Sequence, residues 1–493
     1  MNKLVRALLL LLAVSMLFIC FAGCGKTEVP GDKETKQGTQ ETEKATETQK
    51  QVETEVPLNF AEGNYDFNIK VCHWYVDDGW IAWHEITVDE GGTGDAINDG
   101  IYDRNSWLEE KYGITLENDY VYQTDVADKL RNQISSGDDK DGYQLVVNFG
   151  YKASHTTGND WLVDLSSVST IDFNHPWWNR EAEKTLRLGN LVEYAVSDML
   201  LQDKGGTSVM FFNKLKCEEL GITDVYNTVR RNQWTLEKLA EYAALGYKDD
   251  GDGVVNGADE FGISNGDDPV LMMYECFGRR FMDYDENGAA YYSIRDVESQ
   301  EALSDIYDFM YNDWFFNTWI HRGEEVIPSF GNEQALFDFG RVETTKNLRQ
   351  KELQYGIIPV PLYDSAQEHY YGWVHDYHDS MMAMMATVPD PEKIGMAIEL
   401  LSKYSYYNIF PELYDVVICG KGTRDVESIE MLGTIFAHRT YDMGIVYDVE
   451  NFTDKVLRYT ATGSTEIATL LAEWENKLNT KLDDINALID QYS

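Results

Sequence analysis

A chain of 493 residues is too long for one ordinary core and predicts two domains. Its residues are 43% hydrophobic and 13% aromatic, a composition that can bury such cores. The net charge of −44 repels phosphate backbones and anionic lipid, which argues against nucleic acid and acidic membrane surfaces as partners.

The N-terminus predicts an address outside the cell. Residues 1–24 begin with basic side chains and continue as an apolar run, the pattern of a secretory signal. The run ends in Phe21-Ala22-Gly23-Cys24, which resembles a bacterial lipobox; there the cysteine carries the lipid, and an ordinary cleaved signal is the alternative. Residues 25–57 are rich in Thr, Glu, Lys and Gln and predict a disordered linker. We therefore expect a lipoprotein anchored through Cys24 at the extracellular face of the membrane.

Strand and helix patterns alternate along the rest of the chain. Period-two or continuously apolar runs predict strands at 65–75, 114–122, 143–149, 191–199, 209–212 and 356–361. Helical spacing predicts helices at 101–111, 126–134, 235–243, 298–314, 391–401 and from about 465. Residues 332–339 are predicted to form a short helix that leads into a strand or turn. This order predicts βαβ units and an α/β fold with mostly parallel sheets.

Several motifs follow one another in a characteristic order. They are HPWW at 175–178, a strand that ends in Phe212-Asn213-Lys214, Trp234-Thr235 opening a helix, an Asp-Gly loop at 250–259, YGIIPVPLYD at 355–364 and GKGTRDVESIEML at 420–432. Together they resemble the extracellular solute-binding proteins of family 1, the receptors of ABC-type importers. The resemblance covers nearly all of the chain after the linker.

The resemblance implies a type II periplasmic-binding-protein-like fold with two α/β lobes, each a mostly parallel sheet flanked by helices, and a ligand cleft between them. It places the first lobe at 58–197 plus 361–410 and the second lobe at 198–360 plus 411–493. It also implies a monomer without catalytic activity that delivers a carbohydrate, an oligosaccharide above all, to the membrane permease of an ABC importer. A peptide or another small solute is the alternative ligand.

Aromatic residues suit a sugar ligand, because the flat C–H faces of sugar rings stack on them while acids and amides bind the hydroxyls. Strand ends and the opposite lobe supply the predicted ligand-binding residues, which are Trp74, Tyr75, Asp77, Trp80, Asn148, Tyr151, Asp198, Tyr274 and Trp373. Each could equally be packed in a core. HPWW at 175–178 is predicted to anchor a loop to the first lobe.

The Asp-Gly loop matches a calcium loop around Gly253 as its sixth residue. The ligand positions then fall on Asp250, Asp252, the carbonyl of Val254, Asn256 and Asp259. Lys248 stands where the first ligand acid is expected, so Asp249 would have to replace it, and Glu260 is an alternative last ligand. The loop is either a structural Ca²⁺ site or a metal-free acidic turn, and no other cofactor is predicted.

The sequence gives little support for a zinc site, a serine nucleophile or a disulfide framework. His375 and His378, with the nearby His369, have a spacing that permits zinc but also suits the edge of a cleft. The G-x-S-x-G pattern at 262–266 follows an acidic loop, unlike a nucleophile elbow. Cys72, Cys217, Cys276 and Cys419 show no paired spacing and predict buried free thiols, with one disulfide bridge of unspecified pairing as the alternative. A secreted carbohydrate-active enzyme or a polysaccharide-adhesion lipoprotein remains the alternative function.

Overall fold

Strands and helices alternate in the computed structural model, which describes residues 55–76, 83–137, 141–265, 269–318, 329–348, 350–413, 426–461 and 467–493. The strands are β1 (Phe67–Tyr75), β2 (Ile114–Tyr122), β3 (Leu145–Asn148), β4 (Ser208–Asn213), β5 (Phe261–Asn265), β6 (Asp283–Tyr284), β7 (Ala290–Tyr291), β8 (Phe315–Phe316), β9 (Ala335–Arg341), β10 (Tyr355–Ile358), β11 (Gly372–Trp373), β12 (Met381–Met384) and β13 (Arg439–Thr440). The signal peptide, Cys24 and nearly all of the linker lie outside the described residues.

The helices are α1 (Ala96–Tyr112), α2 (Val126–Ser136), α3 (Gly150–Ala153), α4 (Arg180–Leu186), α5 (Gln202–Gly205), α6 (Lys214–Glu219), α7 (Val225–Arg230), α8 (Leu236–Gly246), α9 (Pro269–Cys276), α10 (Val297–Met310), α11 (Thr345–Leu348), α12 (Pro391–Asn408), α13 (Val426–Ala437), α14 (Met443–Val446), α15 (Phe452–Ala461) and α16 (Ile467–Gln491). Within the described ranges, none of them combines the length and the apolar character that crossing a membrane requires.

The first sheet has four strands in the order β12-β3-β1-β2. β1 runs parallel to β2, with Phe67 opposite Ile114 and Tyr75 opposite Tyr122, and it also runs parallel to β3. β12 closes the sheet antiparallel to β3, although it follows β3 by more than two hundred residues in the chain. Helices α1 and α12 pack against each other beside this sheet.

The second sheet has five strands in the order β10-β4-β9-β5-β8 and is mixed rather than mostly parallel. β9, β5 and β8 are parallel, whereas β4 runs antiparallel to both of its neighbours, β9 and β10. A crossover that includes α11 carries the chain from β9 past β4 to β10, so β9 and β10 keep the same direction on either side of β4.

Two predicted elements are wrong. Residues 191–199 form no regular strand; their backbone pairs with β12 only through the bridge between Ala195 and Met382 and with Trp178 through Ser197. For residues 332–339, the predicted strand after a short helix is present, but Ala335, Leu336 and Phe337, predicted as helical, already belong to strand β9 (Ala335–Arg341). Its apolar residues lie between two neighbouring strands in the sheet, and this burial outweighs the local helical spacing.

The predicted anchoring role of HPWW is confirmed. The carboxylate of Glu399 on α12 is fully buried. It accepts hydrogen bonds from His175 Nδ1 at 2.8 Å and from the indole nitrogens of Trp177 and Trp178, both at 2.9 Å. The backbone nitrogen of Asp172 donates a fourth bond at 2.9 Å. One acid therefore holds this loop on α12, whose own N-terminus is capped by Asp390.

A hydrophobic cluster joins α1 to the second sheet. Ile97 and Ile101 of α1, which packs beside the first sheet, belong to the same buried cluster as Phe211 of β4 and Ile357 of β10. Because this apolar contact connects a helix beside the first sheet with strands of the second, separating them would expose core surface. The exact lobe boundaries stay a prediction.

A buried acid in the 191–199 segment predicts an unusual pH dependence. Burial raises the pKa of Glu193 from 4.5 to about 7, while Gly158 N donates to its carboxylate at 2.9 Å. The folded state thus favours the protonated acid, and this contribution to stability is complete below pH 4.5 and is lost as the pH rises through 7. The loss amounts to about 3 kcal/mol.

Replacing Glu193 by glutamine should remove that loss, because glutamine is neutral and keeps an acceptor for Gly158 N. We expect the E193Q variant to match the wild type at pH 5 and to unfold at higher urea at pH 8. Urea unfolding at the two pH values measures this, with Glu109→Gln on the exposed side of α1 as a control. Equal pH dependence in wild type and E193Q would contradict it.

Candidate functional site

Four aromatic side chains line the carboxyl ends of β1 and β2. Tyr75 and Tyr120 have ring centroids 5.8 Å apart, and His84 lies 6.1 Å from Tyr120 with its Nδ1 2.8 Å from the tyrosine oxygen. Tyr122 is the register partner of Tyr75 and is 49% exposed. We call Tyr75, Tyr120, Tyr122 and His84 the aromatic edge. These rings are exposed or half-buried, and the carboxyl ends of strands are where open α/β sheets bind ligands.

A chain of packed rings continues inward from this edge. Trp74 is fully buried; its indole nitrogen donates to Ser380 Oγ at 3.3 Å and its ring packs 4.9 Å from Phe149. Tyr151, on α3, stacks on Tyr377 at 4.4 Å between centroids. Phe149 also lies 6.4 Å from Tyr151, so Trp74 and Tyr151 belong to one cluster, as their placement at strand ends predicts. Both side chains are buried in it.

Asn148 and Tyr274 are buried and hydrogen bonded. Asn148 Nδ2 donates to Tyr194 OH at 3.4 Å, and Asn148 Oδ1 accepts from Phe149 N at 3.1 Å. Tyr274 OH donates to the carbonyl of Arg280 at 2.9 Å. These bonds orient the adjoining backbone. Both side chains are therefore part of the packed interior that supports the site.

Trp373 and Asp198 lie where the chain passes between the two sheets. Trp373 is buried, with its ring 4.7 Å from that of His375. Asp198 pairs with Lys204 at 2.9 Å. Asp77 and Trp80 lie outside the described residues. Ligand contact by all nine predicted residues stays a prediction, and Tyr75 is the one whose described ring belongs to the aromatic edge.

A buried charge cluster holds the segment 197–207. Lys204 Nζ lies 2.9 Å from Asp198 Oδ1 and 3.0 Å from Asp203 Oδ1, and Arg439 of β13 pairs with the other oxygen of Asp203. Burial raises the pKa of Asp198, and the nearby ammonium of Lys204 opposes that rise. These ion pairs connect the segment that enters β4 with the segment that contains β13.

A second buried acid ties three segments together. Glu85 accepts from His73 Nε2 at 3.1 Å and Ser380 Oγ at 2.6 Å, and its other oxygen accepts from the backbone nitrogens of Leu201 and Gln202. Burial alone would raise the pKa of Glu85, but these hydrogen bonds, led by that of His73, bring it below 4.5. This hydrogen-bond network holds in place the end of β1, which carries Tyr75 of the aromatic edge.

Among the described residues, His369, His375 and His378 form no three-ligand cluster. His378 Nδ1 lies 3.0 Å from Glu343 Oε1, and burial of Glu343 is outweighed by His378 and Arg341, which lower its pKa to about 2. His369 stacks on His438 instead of joining His375. Over the part of the chain that the structure describes, the only group of three or more close metal-ligating side chains is in the Asp-Gly loop.

In that loop, carboxylate oxygens of Asp249, Asp250 and Asp252 lie within 4.8 Å of one another. Lys248 turns away to Glu260, with 3.3 Å between Nζ and Oε1. Asp249 thus stands beside the predicted ligands, whereas Glu260 is engaged by lysine. Three converging carboxylates fit a hard cation such as Ca²⁺.

The remaining predicted calcium ligands are engaged within the loop. Asp259 is buried and accepts from the backbone nitrogens of Asp250 at 2.9 Å and Asn256 at 3.1 Å. Asn256 Nδ2 donates to the carbonyl of Val254 at 2.9 Å. These bonds shape the turn, and ligation by Val254, Asn256 and Asp259 stays a prediction.

The described cysteines are as predicted. Cys72, Cys217 and Cys276 are free and buried, and burial raises the pKa of each thiol to about 12. Such thiols are poor nucleophiles. Cys419 lies outside the described residues.

Tyr120, Tyr122 and His84 were missed from sequence. The alternating Tyr120 and Tyr122 at the end of a predicted strand are a usable signal, because period two places them on one face. His84 carries no such signal. Its position depends on the bond to Tyr120, which only the folded chain reveals.

Comparison with solved structures identifies the fold. The chain is similar to an ABC substrate-binding protein from Listeria monocytogenes in complex with cycloalternan, at 13% identity and a TM-score of 0.52, covering 86% of this chain and 99% of that one. It is also similar to a cyclic α-maltosyl-1,6-maltose binding protein from Arthrobacter globiformis, at 11% identity and a TM-score of 0.53, over 86% of this chain and 100% of the other. No family model and no curated protein matches the sequence.

The chain therefore has the two-lobed α/β fold of ABC substrate-binding proteins. A cyclo/maltodextrin-binding protein complexed with maltotetraose shares it, at 12% identity, a TM-score of 0.50 and coverage of 86% of this chain and 96% of that one.

Proposed function

We propose that this protein is an extracellular receptor that binds a carbohydrate and delivers it to an ABC importer. The observation that carries the proposal is the fold, which extends over nearly the full length of two proteins solved with oligosaccharides and of a third named for binding one. The aromatic edge adds to it, because tyrosine rings at the ends of β1 and β2 offer faces on which sugar rings stack.

The mechanism is a shift between open and closed lobes. A sugar that stacks on the aromatic edge and also contacts the opposite lobe binds the closed state better, and so increases its population. The closed receptor then delivers the sugar to the permease. In this proposal the chain is a monomer without catalytic activity, held at the extracellular face by a lipid on Cys24.

Thermal unfolding of the purified protein with and without oligosaccharides tests the proposal. A ligand that binds only the folded state raises Tm by mass action. We expect a maltooligosaccharide such as maltotetraose to raise Tm and to remain chemically unchanged. Cleaved sugar would establish the alternative of a carbohydrate-active enzyme, and a shift with peptides alone would change the ligand class.

The variant Tyr120→Ala locates the site. It removes the central ring of the aromatic edge, so we expect affinity for the same sugar to fall about tenfold, which corresponds to about 1.4 kcal/mol. Titration calorimetry measures this, with Tyr311→Ala as the matched control, since Tyr311 is an exposed tyrosine on the loop after α10. Equal affinity in both variants would place the sugar elsewhere.

We also propose that the Asp-Gly loop binds a structural Ca²⁺ ion, supported by the three converging carboxylates. At a calcium concentration 100 times Kd, binding should stabilise the fold by about 2.7 kcal/mol. We expect calcium to raise Tm of the wild type but not of Asp252→Asn, while Asp285→Asn, in another acidic turn, responds like the wild type. The same calcium response in D252N would refute this site.

A further inference from the structure

A cavity lies away from the aromatic edge. It measures about 340 Å³, and the end of α4, the turn at 188–191, the β6–β7 hairpin and the end of α16 form its walls. Pockets of this size hold small ligands, for which the usual range is about 300–1,000 Å³. None of its lining residues belongs to the aromatic edge, the charge cluster around Lys204 or the Asp-Gly loop.

The walls of this cavity are fixed to one another. Tyr284 OH donates to the carbonyl of Arg187, which joins the hairpin to α4. Asn190 N donates to the carbonyl of Tyr492 at 2.8 Å, which joins the turn to the end of α16. Gly189 has φ +61°, and a side chain there would meet the Ile489 carbonyl at 2.7 Å. The cavity is therefore formed before any ligand arrives.

The hairpin is also held by α16. The side chain of Asn486 pairs with the backbone of Ala290, accepting from its nitrogen at 2.8 Å and donating to its carbonyl at 3.0 Å. The acid of the hairpin turn, Asp285, accepts from Asn287 N at 2.8 Å and Ala289 N at 2.9 Å. Its charge is therefore engaged by its own turn rather than by the cations of the cavity.

Two cations line the cavity: Lys184 of α4 and Arg187, the residue that follows its last turn. Lys184 and Arg187 are three residues apart, so they lie on one side of the helix end. Arg187 pairs with Glu183 through Nη1, at 3.5 Å, and its side chain is 36% exposed. Its Nε is buried and, among the described residues, has no hydrogen-bond acceptor. The exposed part of the guanidinium is therefore available to a ligand in the cavity.

The neutral lining complements these cations. Asn190 and Asn287 offer amide groups, and Tyr284 offers a ring. Although the chain has a net charge of −44, two lining side chains of this cavity are cationic and none is acidic. An arginine fork matches the geometry of carboxylate and phosphate groups. We propose that this cavity is a second binding site, for a small solute that carries an oxyanion, a carboxylate or a phosphate, on a polar body.

Titration calorimetry of the purified protein tests this with three probes. Glucuronate carries a carboxylate on a sugar ring, inorganic phosphate is a bare oxyanion, and glucose is the neutral match of glucuronate. We expect glucuronate to bind and glucose to bind at least tenfold more weakly; phosphate binding alone would assign the site to phosphates. Binding should weaken with salt. Absence of binding by both oxyanions would overturn the proposal.

Variants assign the binding to this cavity. Arg187→Gln keeps the backbone carbonyl that accepts from Tyr284, and it should lower oxyanion affinity at least tenfold. Arg131→Gln, which removes an exposed arginine paired with Asp128, is the matched control and should change nothing. Should Arg187→Gln lower Tm, Lys184→Met provides the second measurement, with an expected loss of threefold or more.

The two proposed sites are distinguishable. Tyr120→Ala should weaken the neutral oligosaccharide and leave oxyanion binding unchanged, whereas Arg187→Gln should do the reverse. Oxyanion binding that survives Arg187→Gln and Lys184→Met, or that is lost in Tyr120→Ala, would overturn the second site. Failure of the oligosaccharide to bind would contradict the proposed function but not the second binding site.

Discussion

Replacing Glu399 by alanine is expected to lower the free energy of unfolding by about 4 kcal/mol or more, because it leaves four donors without their acceptor. Two of them are the indole nitrogens of Trp177 and Trp178, which are buried. Water cannot easily replace the lost carboxylate there. Urea unfolding followed by tryptophan fluorescence measures the change.

The matched control is Glu392→Ala on the same helix. Glu392 also accepts bonds from a loop, from the backbone nitrogens of Ser169 and Thr170, but it is exposed. Water can take its place, so we expect a small effect. Similar losses in both variants would show that Glu399 acts as an ordinary helix residue and not as the centre of the HPWW anchor.

Lys204→Met should cost about 3–5 kcal/mol, the usual result of removing one partner from a buried ion pair. The ammonium of Lys204 is buried between Asp198 and Asp203, and Arg439 alone then remains to pair with Asp203. Because burial favours the protonated form of Asp198, the loss should shrink as the pH falls and that acid becomes neutral. Urea unfolding at pH 5 and pH 8 tests both statements.

Lys238→Met serves as the control for Lys204. Lys238 pairs with Glu241 on the surface of α8, and surface pairs contribute about 0–1 kcal/mol. In addition, the double variant Asp198→Asn with Lys204→Met should recover part of the stability, since it removes the unpaired charge. A loss in Lys204→Met as small as that in Lys238→Met would contradict a structural role for this cluster.

Local signals were enough for much of the fold. The N-cap of α8 at Thr235, that of α12 at Asp390 and the alternation of β2 each depend on neighbouring residues, because capping bonds and side-chain periodicity act within a few residues. The order of such elements predicted an α/β fold, and the resemblance carried by the motifs between them implied two lobes of the substrate-binding type.

Strand pairing at long range could not be read in this way. β9 resembles a helix start locally, but it lies between β4 and β5, and its apolar residues are buried there. The segment 191–199 resembles a strand, but only one of its residues pairs with β12. Pairing depends on which neighbours burial makes available, and those neighbours are far apart in the chain.

The candidate sites show the same contrast between local sequence signals and tertiary contacts. The sequence alone determined the residue types: aromatic residues at strand ends, an acidic loop, and HPWW as an anchor. Only the tertiary structure decided that Trp74 is buried while Tyr120 is half-exposed. It also decided that Lys248 pairs with Glu260 and that Arg187 lines a cavity. The physical reason is that exposure and ion pairing depend on the sum of contacts from distant segments, whereas composition and spacing record only which side chains are present.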